Sequence, residues 1–382
     1  MSFARLVLNM GRRFAHPFLP ALSRELAVPL ASVQNVMALN AGIGLFSPLF
    51  GPLSDRYGRK PVMIGTLLLM SAAALIGALM PRFTVFAVVV LIFGLSKMIY
   101  DPAMQAAVGE RVPYHRRALA IGATELSWAG SLFIVAPLAG FLLARYGIAA
   151  LFLAFAALAF VSAVVVWLFL PSDQRAGTTT TTGRPAQPLW QVFREHPAAR
   201  AIVGYSLLLS MANEIFFINY GAWMQDTFGL ELAVLGVATT VIALAEMMGE
   251  GAVMAIADRV GKRRMALAGA LLASAMYALL PPAASSLPIA LGGVFLMFLG
   301  FEIAIVASIP LFTEVVPHAR GVVMSSNMAA HSLGRLTGAV LGAALFRAGD
   351  SLLLTGAVAM LVGLGSAFIL RRYLHEPEVE AV

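Results

Sequence analysis

Cysteine is absent from this 382-residue sequence, and charged side chains are scarce. The absence of cysteine excludes a disulfide framework, a thiol nucleophile and a metal site with thiolate ligands. Asp, Glu, Lys and Arg make up only 12% of the residues, whereas a soluble globular chain contains about 25%. The sequence also lacks the phosphate-binding G-x-x-x-x-G-K-[ST] loop, the H-E-x-x-H zinc motif and the G-x-S-x-G nucleophile motif. We therefore expect neither an enzyme nor a cofactor or metal.

The abundant residues are apolar, at 60% of the chain. They fall into stretches of the length that crosses a bilayer as a helix, about 20 residues. We number twelve such stretches as spans 1 to 12 and predict helices over 3–22, 32–53, 61–80, 83–107, 117–143, 148–171, 199–224, 232–256, 263–282, 287–312, 320–346 and 350–371. The sequence therefore predicts an all-α, multi-pass membrane protein.

The basic residues are distributed asymmetrically across these spans. If both termini are cytoplasmic, 18 of the 26 Lys and Arg residues lie at cytoplasmic ends and loops, and only four lie on the other side. This distribution follows the positive-inside rule and predicts cytoplasmic termini. It also accounts for the net charge of +7, so nucleic acid is not expected as a partner. We expect a bacterial inner-membrane location.

One long polar segment separates the spans into two groups of six. Residues 172–198 contain five consecutive threonines between Gly177 and Gly183, a composition typical of a flexible linker. We predict a six-helix bundle over 1–171, a cytoplasmic linker over 172–198, a second six-helix bundle over 199–371 and a cytoplasmic tail over 372–382. No interface motif indicates an oligomer, so we expect a monomer.

The two groups of spans repeat each other. Residues 55–60, DRYGRK, follow span 2, and residues 258–263, DRVGKR, follow span 8 at an offset of 203. A second pair, 110–113 after span 4 and 314–317 after span 10, repeats at an offset of 204. Six spans return the chain to its starting side, so the halves are predicted to be parallel repeats related by a pseudo-two-fold axis along the membrane normal.

Residues 51–60 match the pattern G-x-L-x-D-R-x-G-R-K at every defined position. On this motif the chain resembles the major facilitator superfamily (MFS) of secondary transporters, in particular its drug/proton antiporters. The resemblance implies the MFS fold and a cytoplasmic latch that opens during transport. The alternative is that these charges only set the topology. The implied gate residues are Gly51, Asp55, Arg56, Gly58, Arg59, Lys60, Glu110, Asp258, Arg259, Lys262 and Glu314.

Ionisable residues inside the predicted spans cost at least about 2.5–3.5 kcal/mol each at the bilayer centre and therefore indicate function. Away from their ends, spans 3, 6, 9 and 12 contain no Asp, Glu, Lys, Arg or His. We expect these four spans to face lipid and the other eight to surround a wet cavity. A buried glutamate that gains and loses a basic neighbour changes its affinity for protons. The candidates for proton coupling are Glu125, Glu214, Glu246 and Glu302.

Further polar and aromatic residues within the spans are candidates for lining the cavity. They are Asn9, Arg12, Arg13, His16, Lys97, Asp101, Trp128, Asn213, Phe217, Tyr220, Glu250, Asn327, His331 and Arg335. Bases predominate in the N-terminal half and acids in the C-terminal half, which suits an amphipathic or zwitterionic solute. Two alternatives stay open, since Lys97 and Asp101 could neutralise each other and Glu250 could belong to the gate.

These observations predict a proton-coupled transporter with a small-molecule substrate. The favoured function is export or flipping of an amphipathic organic compound or drug. The first alternative is proton-coupled uptake of a small organic anion. The second, from another class, is a polytopic enzyme acting on lipid, for which the sequence offers only weak nucleophile–base pairs.

Overall fold

The computed structural model describes residues 1–46, 50, 53–54, 56–111, 114–171, 193–315, 320–349 and 351–374; within these ranges the side chains of 109–125 and 313–322 are not described. Most of the predicted linker and residues 375–382 of the predicted tail therefore lie outside the described residues. The regular structure of the described part is entirely helical. Its α-helices are Ser2–Arg13, Leu19–Glu25, Leu30–Gly42, Arg59–Leu79, Phe83–Arg111, Tyr114–Phe169, Pro197–Phe217, Tyr220–Phe228, Leu232–Val260, Lys262–Ala283, Leu287–Val315, Arg320–Gly349 and Leu352–Tyr373.

These helices account for the twelve predicted spans. In the described part of the chain, eight helical stretches are long and apolar enough to cross a membrane. The stretch Leu126–Phe169 contains both span 5 and span 6, because the helix is broken at Gly147, whose φ of 75° favours glycine. Span 11, Arg320–Gly349, is long but more polar, and spans 1 and 2 are formed from shorter helices. The prediction of an all-helical fold with twelve spans is confirmed.

Two spans are interrupted where the sequence predicted continuous helices. Span 1 stops at Arg13 and resumes through a 3₁₀ turn, His16–Phe18, in which Pro17 has no N–H to donate. Span 7 stops at Phe217 and resumes at Tyr220. The Asn219 side chain stabilises this second interruption, because its Nδ2 donates hydrogen bonds to the carbonyl oxygens of Ile215 and Gly342, at 3.3 and 3.0 Å.

The chain divides into two compact units. Unit 1 comprises residues 1–177 and 220–243, and unit 2 comprises residues 178–219 and 244–382. Unit 1 therefore includes the last part of span 7 and the first part of span 8 as well as the first six spans. The predicted bundles, 1–171 and 199–371, follow the topology of the chain and differ from these units in residues 220–243.

Glycines bring the last part of span 7 and the first part of span 8 close to the rest of unit 1. Spans 5 and 8 cross at Gly140 and Gly236, where a Cβ added to either glycine would lie 3.2 Å from the Cα of the other. A Cβ on Gly221 would collide with the carbonyl oxygen of Pro17. At the surface, Arg24 donates a hydrogen bond to Gln225 at 3.3 Å. Small residues thus allow backbone-to-backbone packing of these helices.

Unit 2 contains a second row of glycines. Gly334, Gly338 and Gly342 lie four residues apart on span 11 and so occupy one face of that helix. A Cβ on any of them would meet the backbone of span 7, at Leu207, Met211 or Ile215. Spans 7 and 11 are therefore in close backbone contact along about two helical turns.

Large apolar side chains are exposed on the spans that were predicted to face lipid. Examples are Leu79 on span 3, Phe169 on span 6, Leu279 on span 9 and Leu361 on span 12. Such exposure suits contact with acyl chains and is unfavourable in water. Exposed apolar side chains also occur on other spans, for example Met254 on span 8.

Candidate functional site

The predicted gate motif forms the same turn in both halves. Gly58 precedes span 3 with a φ of 92°, and Gly261 precedes span 9 with a φ of 99°. Both lie in the left-handed region, which glycine adopts without steric cost. The 203-residue repeat therefore extends from the sequence to the backbone conformation.

The last cation of the motif also has the same role in both halves. The Lys60 ammonium donates hydrogen bonds to the carbonyl oxygens of Trp167 and Leu170 at the end of span 6. Arg263, which lies 203 residues further on, donates to the carbonyl oxygen of Arg371 near the end of span 12. These carbonyls lack helical partners, and a cation near a helix C-terminus satisfies them and the helix dipole. Sequence reasoning assigned no such role to either residue.

The contacts described for the other gate residues do not test the implied latch. Arg59 donates to the Ser54 hydroxyl at 2.6 Å, and the exposed Arg56 guanidinium lies 5.4 Å from the centre of the Tyr57 ring. Asp258 and Arg259 are exposed and Lys262 is half-buried. Gly51 and Asp55 lie outside the described residues, as do the side chains of Glu110 and Glu314. The latch implied by the resemblance therefore stays a prediction.

Unit 1 contains a buried group of four cations, which we call the basic cluster. Its members are no more than 7% exposed. They are Arg5, Arg12 and Arg13 of span 1 and Lys97 of span 4. Asp101 accepts from Lys97 at 2.6 Å and from Arg5 at 3.3 Å. The alternative in which Lys97 and Asp101 neutralise each other thus matches the geometry, with Arg5 as a further partner.

Arg5 was missed as a site residue because it was counted as a cytoplasmic-end cation. The available signal was its spacing, since seven residues separate it from Arg12 and place both on one helix face after two turns. Arg12 and Arg13 are adjacent in sequence, yet both are buried.

The Trp128 ring of span 5 covers part of the basic cluster. The Arg13 guanidinium lies 4.4 Å from the ring centre and Lys97 Nζ lies 5.6 Å from it, so both are within cation–π distance. Arg13 also donates a hydrogen bond to the Trp128 carbonyl oxygen at 2.9 Å. Trp128 itself is half-buried, as is Asp101. The cluster is thus flanked by an aromatic side chain that is partly exposed.

The remaining predicted residues of unit 1 are less closely grouped. Asn9 is fully buried and donates to the Ser127 hydroxyl at 3.1 Å. His16 is half-buried at the interruption of span 1. Tyr220 was predicted to line the cavity, but it is buried in unit 1, where its hydroxyl lies 3.3 Å from that of Thr239. The side chain of Glu125 lies outside the described residues.

In unit 2, polar side chains connect spans 7 and 11. Ser206 is hydrogen-bonded to Asn327, and Ser210 to His331 at 2.5 Å. The predicted stripe Asn327, His331 and Arg335 therefore takes part in helix packing through its first two members. Arg335, one turn further along, is half-buried.

Three predicted glutamates are buried in unit 2, each on a different span. Glu214, Glu246 and Glu302 are 6, 3 and 6% exposed. Glycines accommodate two of them. A Cβ on Gly338 would lie 3.0 Å from Cβ of Glu214, and one on Gly249 would lie 2.9 Å from Cβ of Glu302. The sequence predicted the acids but not the glycines that make room for them.

The other predicted residues of unit 2 differ in environment. Asn213 is buried, and its Oδ1 has no hydrogen-bond partner in the part of the chain that the structure describes. Phe217 packs edge-on against Phe298, with ring centres 5.2 Å apart. Glu250 is half-buried, one turn beyond Glu246.

An apolar groove of about 700 Å³ opens between spans 9 and 10 of unit 2. Its lining includes Met276, Leu279, Leu296 and Pro282. No predicted site residue borders it. Since it presents no polar group that could orient a solute, the groove does not indicate a cargo site.

Comparison with known proteins identifies the family. The family model for the Major Facilitator Superfamily matches residues 1–220 and 202–382, and so the whole chain. The chain belongs to the Major Facilitator Superfamily. The structure of a D-xylose–proton symporter superimposes with a TM-score of 0.78 over 100% of this chain and 98% of that chain, at 14% identity, and so shows the same fold.

Curated relatives are distant members of the superfamily. The multi-drug resistance efflux pump PmrA of Streptococcus pneumoniae is 26% identical over 350 residues, which cover 86% of this chain and 84% of the pump. The uncharacterized MFS-type transporter YceJ of Bacillus subtilis is 24% identical over 334 residues, or 87% of this chain and 84% of that protein.

Membership of the superfamily establishes the general activity. The chain is a multi-pass membrane protein and a secondary transporter, and it is not an enzyme. The alternative of a polytopic enzyme acting on lipid is therefore excluded. A transporter of this superfamily moves a small molecule across the membrane, and the residues described above are the candidates for binding it.

Proposed function

We propose that this transporter exports an amphipathic organic compound in exchange for protons, by alternating access in a bacterial inner membrane with cytoplasmic termini. The observation that carries the proposal is the burial of Glu214, Glu246 and Glu302 in unit 2. Carboxylates at membrane depth are costly unless they are paired or protonated, so their presence there supports a role in moving protons. The relative named an efflux pump supports export.

Proton coupling requires that binding of a proton and binding of cargo influence each other. A carboxylate that faces a cation in one conformation and an apolar surface in another changes its proton affinity between the two. Each of the three buried glutamates lies in unit 2, so a change in the surroundings of that unit alters their electrostatic environment. This provides a physical route from conformational change to proton release.

The chemistry of unit 1 supports an amphipathic cargo. Arg13 and Lys97 provide charge, and the partly exposed Trp128 ring provides an apolar face directly beside them. A solute with a polar head and an apolar body would satisfy both. The gate residues, led by Asp55 and Glu110, are proposed to latch the cytoplasmic side during part of the cycle.

The proposal is tested with the full chain reconstituted in liposomes that contain a pH-sensitive dye. A proton gradient is imposed, and lipophilic cations, organic anions and lysolipids are added separately. We expect proton flux that depends on one class of solute. Replacing Glu214, Glu246, Glu302 or Glu125 by Gln one at a time should abolish the dependence on the gradient in at least one variant, while solute binding remains.

Glu231→Gln is a matched control, because Glu231 is exposed at the start of span 8. Its flux should equal that of the unmodified protein. If all four test variants remain driven by the gradient, none of these glutamates carries the proton and the proposed coupling site is wrong.

A second candidate function is proton-coupled uptake of a small organic anion. The basic cluster of unit 1 favours it, because four buried cations suit an anionic cargo. The same liposomes separate the two candidates. Export by antiport requires that protons and solute move in opposite directions. Uptake by symport requires that they move in the same direction.

A further inference from the structure

Span 11 carries two thioethers and an imidazole on one helix face. Met324, Met328 and His331 follow each other at intervals of four and three residues. On an α-helix this spacing places the three residues within about 60° of one another around the axis. Successive members have Cβ atoms about 5–6 Å apart. Because a methionine side chain is unbranched and has three rotatable bonds, both sulfur atoms can reach toward the imidazole.

This helix face is accessible and does not belong to the apolar core. Met328 is 51% exposed, and Met324 and His331 are half-buried. The same face continues one turn further to Arg335, which is also half-buried. Ionisable side chains inside membrane spans face the protein interior or a water-filled cavity and not the lipid. An ion dissolved in water can therefore approach this face.

A neighbouring helix holds the imidazole of His331. Ser210 of span 7 is 1% exposed, and its hydroxyl oxygen lies 2.5 Å from Nδ1 of His331. When Nδ1 carries the proton and donates it to this oxygen, the lone pair of Nε2 is available to a metal ion. Histidine ligands almost always donate their other ring N–H to such an acceptor, which fixes the orientation of the ring. Ser210 thus supplies the partner that metal binding through Nε2 requires.

We infer that Met324, Met328 and His331 form a binding site for a soft monovalent metal ion, Cu(I) or Ag(I). Thioether sulfur is a soft ligand that selects Cu(I), and imidazole also suits copper. Arg335 lies within electrostatic range of His331. Its charge repels an ion in proportion to the ion's own charge, so a monovalent ion is favoured over a divalent one. The site goes beyond the proposed function and does not depend on it.

The first test is a calorimetric titration of the full-length protein in detergent with Ag(I). Ag(I) is a redox-inert probe for Cu(I), and the buffer contains neither chloride nor thiols. We expect one strong site per chain, above any weak binding to the other methionines of the sequence. Zn²⁺ at the same concentration should not displace the bound Ag(I). Absence of a strong site, or equal affinity for Zn²⁺, would overturn the inference.

Substitutions of methionine by leucine then locate the site, because they remove the sulfur atom and nearly conserve the volume. Met324→Leu and Met328→Leu should each weaken Ag(I) binding at least about tenfold, since loss of an outer-shell partner alone costs about 10–100-fold. Met80→Leu is the matched control, because Met80 is 47% exposed and lies at the end of span 3. Unchanged affinity in the double variant Met324→Leu/Met328→Leu would overturn the inference.

X-ray absorption identifies the ligands directly. The protein is loaded with Cu(I) in the presence of ascorbate and without oxygen. We expect a spectrum of a copper ion with two sulfur ligands and one nitrogen ligand. His331→Gln should remove the nitrogen contribution of the imidazole and retain sulfur. A spectrum with only nitrogen and oxygen ligands in the unmodified protein would contradict the proposed site.

Ser210 is a positioning residue, since it acts through His331. Ser210→Ala should weaken Ag(I) binding about tenfold, and Ser210→Thr, which retains the hydroxyl group, should recover most of the affinity. Thermal unfolding without Ag(I) measures any structural effect of these variants separately. Lower stability with unchanged Ag(I) affinity would show that Ser210 only packs span 7 against span 11 and would contradict its positioning role.

The proposed function and this inference fail separately. Strong Ag(I) binding by a protein that shows no solute-dependent proton flux would preserve the metal site and overturn proton-coupled export. Proton flux driven by an organic solute, in a protein without a strong Ag(I) site, would preserve export and overturn the metal site.

Discussion

Lys60 donates a hydrogen bond to the carbonyl oxygen of Leu170, 110 positions away in the sequence, at 2.5 Å. This bond joins the start of span 3 to the end of span 6. Arg263 and Arg371 repeat the relationship between spans 9 and 12. The last cation of the gate motif therefore joins span 3 to span 6 in one half and span 9 to span 12 in the other, in addition to any role in a latch.

Replacing Lys60 by Gln should destabilise this connection. The substitution removes a charge-assisted cap from the end of span 6, which we expect to cost about 1 kcal/mol because the bond is partly exposed. The measurement is thermal unfolding of the purified protein in detergent. Lys60→Arg should retain most of the stability, and Arg264→Gln, at an exposed position, should change nothing. An unchanged melting temperature for Lys60→Gln would show that the cap contributes no stability.

Gly236→Ala should disrupt the crossing of spans 5 and 8. The added methyl group would collide with the carbonyl oxygen of Ala136 and approach Gly140, at an expected cost of about 1–3 kcal/mol. Gly251 lies on the same helix, and nothing lies within 4 Å of a Cβ added there. Gly251→Ala is therefore the matched control and should be neutral or stabilising by up to about 1 kcal/mol. Equal melting temperatures for the two variants would contradict the observed packing.

Asp101→Asn should be more damaging than removal of Asp101 and Lys97 together. The single change leaves Lys97 and Arg5 without their shared carboxylate, and loss of one partner from a buried ion pair costs about 3–5 kcal/mol. The double variant Lys97→Met/Asp101→Asn also removes the positive charge of Lys97. A double-mutant cycle on unfolding free energy measures the coupling between the two residues. Additive effects would show that the observed ion pair is energetically unimportant.

Asp55→Asn should impair transport while the protein remains inserted and folded, if the motif forms the implied latch. The change is isosteric and removes only the charge. Transport is measured in liposomes, and insertion is measured by the amount of purified protein recovered from the membrane. Asp226→Asn, at an exposed position outside the motif, should transport normally. Full turnover by the Asp55 variant would rule out the latch.

The sequence predicted the features that arise from regular patterns. Span positions follow from runs of apolar residues, because the bilayer imposes a length on each helix. The internal repeat was visible in two motifs, and the structure extends it to the backbone of Gly58 and Gly261. The sequence predicted that these glutamates are functional, because an ionisable residue inside a membrane span is costly and is therefore seldom present without a role.

Features that depend on which helices meet could not be predicted. Glycines are frequent in membrane helices, and nothing in the sequence shows that Gly249 accommodates Glu302 or that Gly338 accommodates Glu214. The role of Asn219 at the interruption of span 7 likewise depends on its contact with Gly342 of span 11. Arg5 shows a different difficulty, since a cation near a helix end can lie in solvent or turn inward to an acid on another helix.

The division of the chain into units has a mechanical consequence. The boundaries between units 1 and 2 fall inside spans 7 and 8, at residues 219/220 and 243/244, and not only in the linker. Two membrane helices are therefore covalent bridges that belong to both bodies. A change of conformation at either boundary would therefore involve the backbone of a membrane helix. In span 7 the boundary coincides with an interruption that already exists, because one α-helix ends at Phe217 and the next begins at Tyr220, so the backbone there can change direction without breaking a continuous helix.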